Sequence, residues 1–248
     1  MPYYPRFNLL QLHVPKTGGT SLENALQSIQ RSELFDYPTS KERHARGDRR
    51  WQHNNLYGYE LIEGQEFALQ HLLYKQMIDW KLLPRQGTAP LILITVRNPF
   101  TRMVSEYKWQ LLFGYDKSFR DFVVEAHANE WFKSRAYHQH LLPQVEFLRG
   151  VDLNNPLLHL VYFEHLQQAM QHFFEHMSQT YPEFANVILP RDNDTTNVSA
   201  GSHVEKESKR PWREFYSDQP DDLVQRLVRT MYAEDFATFG YELDIDAT

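Results

Sequence analysis

The chain is expected to fold as an α/β domain, a central parallel sheet covered by helices, and three observations predict it. Apolar runs of strand length alternate with segments of helical spacing along most of the 248 residues. One run, Pro90–Val96 (PLILITV), is apolar on both faces, as strands in the middle of a parallel sheet are. Another, Phe7–Val14, ends at Pro15 and a Gly18–Gly19 pair and passes directly into helical spacing, which is a strand, a glycine turn and a helix.

In chain order, Phe7–Val14 is the first strand and Thr20–Ile29 the first helix, with Leu22, Ala25, Leu26 and Ile29 on one face. Lys41–Asn55 (KERHARGDRRWQHNN) is polar and basic, with Lys41, Arg43, Arg46, Arg49 and Arg50 against Glu42 and Asp48, and reads as an exposed insertion. Glu66–His71 is a second expected strand, Tyr74–Leu83 a helix and Pro90–Val96 the central strand. Helices are predicted at Phe100–Phe113, Ser118–Ala128 and Tyr137–Leu148, then a strand at Leu157–Phe163 and a helix at Glu164–Gln179. Residues 190–213 are polar and turn-rich, and a closing helix is expected at Pro220–Ala233. No internal repeat occurs, so one domain over 1–248 is expected.

A formal net charge of -6 gives no general attraction to nucleic acid, so any polyanion must meet a local patch. The absence of cysteine excludes disulfides, thiolate catalysis and Cys-ligated metal sites. No stretch approaches the ~18 apolar residues of a transmembrane helix, and the segment before Pro15 has no signal-peptide pattern. A cytoplasmic enzyme, or a trimmed part of a longer one, is expected, with no membrane partner; the oligomeric state is left open.

The first chemical signal is Pro15–Ser21 (PKTGGTS), at a strand-to-helix junction. Two glycines let backbone approach an anion, the following N–H groups sit at a helix N-terminus, and Thr17, Thr20 and Ser21 add hydroxyls. The plain alternative is a tight turn with a helix cap. A nucleoside-triphosphate loop places its lysine after the glycines and needs an aspartate for magnesium. Here Lys16 precedes them, where it can reach the oxygen that bridges phosphate to a transferred group. The second signal is Val96–Tyr107 (VRNPFTRMVSEY), directly after the most buried strand. Arg97 leaves the sheet's carboxyl edge, Pro99 can start a helix, and Ser105 follows just over two turns along it, so arginine and hydroxyl can share one phosphate. Ligands of open parallel sheets bind beyond those strand ends. Taken singly, Arg97 is as easily a structural ion pair and Ser105 an exposed helical serine, while Arg102 reads as a brace for the helix.

These residues resemble the sulfotransferase superfamily, in the branch of the heparan sulfate 2-O- and 6-O-sulfotransferases and their bacterial relatives. HVPKTGGTSL resembles that family's 5′-phosphosulfate loop and VRNPFTRMVSEY its 3′-phosphate motif, and the resemblance runs from Leu12 to Tyr241. It implies a P-loop-NTPase-like sheet, 3′-phosphoadenosine 5′-phosphosulfate as donor substrate and no metal. Lys16 would contact the sulfate-bearing phosphate and stabilise the leaving group, Thr17, Gly18, Gly19, Thr20 and Ser21 would wrap the 5′-phosphate, and Arg97 and Ser105 would grip the 3′-phosphate. LPRDNDTTNVSAGSHVEKESKRPWREFY resembles the nucleotide-covering loop, from which Lys209 and Arg210, with Lys206 beside them, are candidates to reach the nucleotide. Glu164 is at a common family position, though helix capping is its simpler role.

Sulfuryl transfer to an alcohol needs in-line attack, removal of the hydroxyl proton and stabilisation of the departing phosphate oxygen. Histidine is the natural base near neutral pH, and there are 12. His71 ends an apolar run ahead of the central strand, where the family's uronyl 2-O-sulfotransferases carry a catalytic histidine, so His71 is the expected base and His53 the next choice. The alternative for His71 is a histidine hydrogen-bonded at a strand end. His13 is expected to be structural, and His138 and His140 lack the nearby carboxylates of a metal site. Without a secretory signal, the sequons at Asn193 and Asn197 read as accidental. The 41–55 segment, with Trp51 in it, is either a solvated face or the part that meets an anionic glycan acceptor. The rivals are a nucleotide kinase and a catalytically idle glycan- or nucleotide-binding module.

Overall fold

A computed structural model describes residues 2–30, 59–62, 65–80, 88–134, 139–190 and 202–247. The 41–55 segment with Trp51 and His53, as well as His138, Asn193 and Asn197, lie outside the described residues. The central sheet has four strands in the order β1 (Tyr3–Tyr4), β2 (Leu9–Leu12), β5 (Leu91–Val96), β6 (Leu158–Tyr162). Strands β2, β5 and β6 are parallel, with Leu10 opposite Ile92 and Ile94 opposite Leu160, and β1 adds an antiparallel edge. The fold is therefore α/β with a mixed sheet flanked by helices, as the alternation predicts. The segment around Glu66 behaves differently: β4 (Gln65–Ala68) pairs antiparallel with β3 (Tyr59–Ile62) in a separate two-stranded sheet and then tightens into a 3₁₀ turn at Leu69–His71.

The alternation of side chains along the strands explains why both sheet faces are covered. Leu10 and Leu12 on β2 and Ile92, Ile94 and Val96 on β5 face one way, into a core closed by Met77 of α2 (Tyr74–Asp79) and by Phe147. Leu9 and Leu93 face the other way, against α1 (Gly19–Gln27) through Leu22 and Leu26, and α5 (Leu166–Ser178) through Met170 and Phe173. Beyond the end of β5 a third core gathers α3 (Pro99–Leu112), α4 (Phe119–Ala128) and the C-terminal helices α7 (Glu214–Ser217), α8 (Leu223–Met231) and α9 (Ala233–Phe239) around Phe100, Tyr107, Phe122 and Phe215. Asn98 caps α3, its side-chain oxygen accepting from Phe100 N at 2.9 Å, and Pro99 supplies the first helical position.

The expected helix over Tyr137–Leu148 gives way, in its described part, to two 3₁₀ turns, Gln139–Leu141 and Gln144–Leu148, separated by Pro143, which cannot donate to a continuous ladder. Its glutamines take over backbone duties elsewhere. Gln139 accepts from Ala68 N at 2.9 Å and donates to the His71 carbonyl at 3.0 Å. Gln144 accepts from Arg97 N and donates to Arg97 O, both at 2.8 Å, and is itself held by the buried Asp235 of α9. Part of the expected covering loop is helical: α6 (Ser202–Lys209) draws on good helix formers and an i,i+4 pair between Glu205 and Lys209 at 2.7 Å.

Candidate active site

The turn between β2 and α1 is shaped by what cannot be there. Gly18 has φ 85°, and a Cβ on it would lie 2.6 Å from Leu166 Cδ2. A Cβ on Gly19 would lie 2.1 Å from the His13 ring. Lys16 itself adopts φ 66°, a left-handed conformation that costs a lysine about 1–2 kcal/mol and is held by a hydrogen bond from Arg97 Nη1 to the Lys16 carbonyl at 3.1 Å. This carries the ammonium out over the face of Trp109, 4.2 Å from the ring centre. Thr17 turns inward instead. It is fully buried, its hydroxyl donating to Val14 O at 2.8 Å and meeting Thr95 Oγ1 at 2.7 Å. Of the expected loop contacts, then, Thr17's hydroxyl fastens the loop to the sheet, whereas Lys16, Gly18, Gly19, Thr20 and Ser21 line a cavity of about 1160 Å³.

Arg97 enters the same cavity from the end of β5. Its guanidinium lies 4.2 Å from the centre of the Phe163 ring, Nε donates to Thr101 Oγ1 at 3.0 Å, and burial pulls its pKa down to about 10 against the opposing pull of Glu164. Ser105 stands on the cavity one turn beyond Thr101, and the same helical face continues through Lys108 and Trp109. Arg102 points away and braces, donating to Pro15 O at 3.1 Å and His140 O at 2.8 Å. Glu164 caps a neighbouring junction rather than its own helix, accepting from Asn98 N at 2.8 Å and from the Tyr241 hydroxyl at 3.2 Å.

Three imidazoles form a row on the cavity wall: His13 and His71 are edge-to-face with ring centres 4.7 Å apart, and His71 and His140 are likewise at 4.9 Å. Each end is tied to a buried carboxylate, His13 Nδ1 to Glu23 Oε1 at 2.5 Å and His140 Nδ1 to Glu106 Oε2 at 2.9 Å. His71 Nδ1 lies 3.0 Å from the His13 carbonyl, which only accepts, so Nδ1 carries the proton and Nε2 is the basic nitrogen. Gln70 Nε2 donates to it at 3.1 Å. Burial, with His13 and His140 alongside, holds the His71 pKa well below its usual 6.5, so the ring is neutral.

Lys16 has its pKa lowered to about 8, by burial first and by Arg97, with Glu106 opposing. Burial works against ionisation of Glu106, but His140 and Lys16 overcome it and hold the carboxyl at about 2. Lys209 and Arg210 also border the cavity, yet both are engaged: Lys209 with Glu205, and Arg210 with Glu207, Glu214 and Asp218 while resting on Phe215. Lys206 is exposed and off the cavity wall. Lys108 Nζ donates to the carbonyls of Ser208 and Arg210 at 2.9 and 2.7 Å, which fixes the end of α6 over the site. Glu106, Lys108, Trp109 and His140 are the cavity residues that sequence reasoning missed as functional. The i, i+4 spacing of Trp109 from Ser105 was the available signal for one of them.

Among the described residues, this strand-end cavity is lined by a glycine turn, five Lys and Arg side chains and two carboxylates, Glu106 and Glu164, a setting suited to an anionic ligand beside a basic nitrogen. The model of the sulfotransferase family matches residues 3–242, nearly the whole chain, and the protein belongs to that family. No curated protein and no solved structure matches it. Sulfuryl transfer to an acceptor is its general chemistry. Among the described residues no helix is long and apolar enough to cross a membrane, and no group of three or more His, Asp or Glu could hold a metal ion.

Proposed function

We propose that the chain transfers the sulfuryl group of 3′-phosphoadenosine 5′-phosphosulfate to a carbohydrate hydroxyl, with Lys16 at the leaving oxygen and His71 as general base. The observation that supports this reading is that the strand-end arginine and the glycine turn meet in one cavity, where Arg97 donates to the backbone carbonyl of Lys16. The residues fit such a donor. Gly18 and Gly19 let the turn pack against Leu166 and His13, where a Cβ would collide, and in the proposed complex the N-terminus of α1 offers N–H groups to the 5′-phosphate while Arg97 with Ser105 offers donors to the 3′-phosphate. Thr20 and Ser21 add hydroxyls, and Lys209 and Arg210 stand where a covering segment would close.

In the reaction the acceptor oxygen attacks sulfur in line, the bond from sulfur to the bridging oxygen breaks, and its electron pair goes to that oxygen beside Lys16. The hydroxyl proton goes to His71 Nε2, which must first release Gln70. Phe113 and Trp212 on the cavity wall give a sugar apolar surface to lie against, and an anionic glycan suits the cationic lining. Adenosine 3′,5′-bisphosphate at about 100 times its Kd should raise Tm by about 5–10 °C. Adenosine diphosphate should do so much less, and Arg97→Ala should erase the difference. Equal shifts from both nucleotides would overturn the donor assignment. A screen of radiolabelled sulfate transfer onto glycans and phenols then identifies the acceptor, and binding without any turnover would leave only an idle nucleotide-binding module.

A further inference from the structure

Helix α6 reads SHVEKESK over its eight residues, and Val204 is its one apolar side chain. A helix this short is marginal in water and is normally kept by the apolar face it buries. Here that face is small: Val204 is half-buried against the third core, and Ser208 is buried beside it. The exposed pair of Glu205 and Lys209 adds little. What holds the helix comes from elsewhere in the chain. Lys108 of α3 donates from Nζ to the Ser208 carbonyl at 2.9 Å and to the Arg210 carbonyl at 2.7 Å, so one ammonium grips the backbone on both sides of Lys209. The buried Phe215 ring lies 5.5 Å from the same Nζ. The last carbonyls of a helix have no partner within it and carry its negative end. A lysine or arginine of the last turn commonly meets that charge. In α6, however, Lys209 turns to Glu205, Arg210 turns to Glu207, Glu214 and Asp218, and the cation arrives from 100 positions earlier in the chain.

Lys108 follows Ser105 by one turn on the same face of α3, and both line the cavity together with Lys209, Arg210 and Trp212. By position alone it would pass for one more phosphate ligand, but its hydrogen bonds point to a different task. We propose that Lys108 is a positioning residue for donor binding: it pins the C-terminal end of α6 to the cavity wall, and through that helix it sets how tightly an adenine nucleotide is held. The inference rests on the nucleotide-donor reading given above and deepens it. Arg97 and Ser105 act in that reading by touching the nucleotide, whereas Lys108 acts by keeping the segment from α6 to Trp212 in place along the cavity. With so little apolar surface to dock it, α6 should loosen once the ammonium is gone, and the border of the cavity should loosen with it.

The test measures two things on the full chain: backbone amide exchange, read by mass spectrometry, and the affinity for adenosine 3′,5′-bisphosphate, read by calorimetry. Lys108→Met keeps the stem and removes the ammonium. In it, exchange from α6 to Trp212 should quicken by about tenfold or more without nucleotide, while β5 and α1 keep their protection. The Kd of the bisphosphate should rise by about tenfold, as it does when a needed segment is in place a tenth of the time. Lys108→Arg keeps the charge and the donors and should recover most of both. Val204→Gly loosens α6 without touching Lys108, and it should weaken the bisphosphate as well. Unchanged α6 exchange in Lys108→Met overturns the proposal, since a loss of affinity without loosening would make Lys108 a phosphate ligand. A loosened α6 in either variant with the Kd within about twofold of the parent overturns it too. The exchange measurement needs no ligand, so a failure of the tether is distinguishable from a failure of the donor reading, which would appear as a parent protein that does not bind the bisphosphate.

Discussion

Gly19→Ala is the smallest change that should disturb both the fold and the chemistry. Gly19 opens α1, where alanine would ordinarily stabilise by about 1 kcal/mol. Here the added methyl would stand 2.1 Å from His13 Cδ2, 2.3 Å from its Nε2 and 2.8 Å from its Cγ. Carbon atoms settle at about 3.5 Å or more, so ring and turn must separate by over an ångström. The ring has nowhere to go: it is fixed to Glu23 at 2.5 Å, lies against His71 at 4.7 Å, and belongs to a buried residue. Overpacking of this kind costs about 3 kcal/mol or slightly more, which leaves a net loss of about 2 kcal/mol and a Tm lower by roughly 4–8 °C for a chain of this length. Because the His13 carbonyl anchors His71 Nδ1, the shift should reach the proposed base and reduce kcat by up to about 100-fold. Thermal denaturation and steady-state kinetics on the purified variant give both numbers. Gly114→Ala is the control, since nothing lies within 4 Å of its added Cβ and only its φ of 91° is strained; it should lose about 1 kcal/mol with kcat unchanged. A Gly19→Ala protein as stable as the parent, with kcat within about twofold, would refute the packing argument.

Three further outcomes are expected. His71→Ala should lose about two to four orders of magnitude in kcat while the Tm shift by adenosine 3′,5′-bisphosphate persists, and near-normal turnover would place the base elsewhere, with His140 the next to test. The Glu106 carboxyl is held at about 2 against an ordinary 4.5, so its contribution to stability is present above about pH 4.5 and is lost as pH falls toward 2, when the folded state must also take up the proton. Denaturant melts of parent and Glu106→Gln should therefore differ most near neutrality and converge in acid; a constant difference would contradict the charge argument. Asp235→Ala strips acceptors from the buried N–H groups of Gln144 and Val145, which should cost about 2–4 kcal/mol and weaken nucleotide binding through the slackened Arg97, as a nucleotide titration followed by calorimetry would read.

What was legible in the sequence was what depends on local pattern. The doubly apolar β5, the Gly18–Gly19 turn and the Arg97-to-Ser105 spacing each set their own geometry, and the cavity brings Lys16, Arg97, Ser105 and His71 together. The segment around Gln139 was not legible, because its apolar spacing is helical while Pro143 and the demands of distant backbone decide its shape. His140 could not be chosen from among the histidines for the same reason. Its meaning comes from Glu106, 34 positions earlier in the chain, and from two rings that pack on it only once the sheet is assembled. Thr17 shows the opposite limit: it sits in the right motif, but the Thr95 hydroxyl across the sheet claims its side chain.

Gln144 extends the hydrogen-bond ladder of β5 past its last residue, with a side-chain amide standing in for a neighbouring strand, and Asp235 near the C-terminus locks that amide in place. This has a consequence for the order in which the chain becomes competent during synthesis. Lys16 and Arg97 both precede α9 in the chain, so the clamp that orients Arg97 is incomplete until α9 has emerged. Domains are built from the N-terminus, so the nascent chain carries an unclamped Arg97 until α9 has been made. A chain released before Asp235 should therefore fail to gain stability from adenosine 3′,5′-bisphosphate even though it contains every residue expected to touch it, which limited C-terminal truncation followed by thermal denaturation would measure. α9 thus serves as a checkpoint on assembly, and the backbone that orients Arg97 is held in full only once that helix has packed.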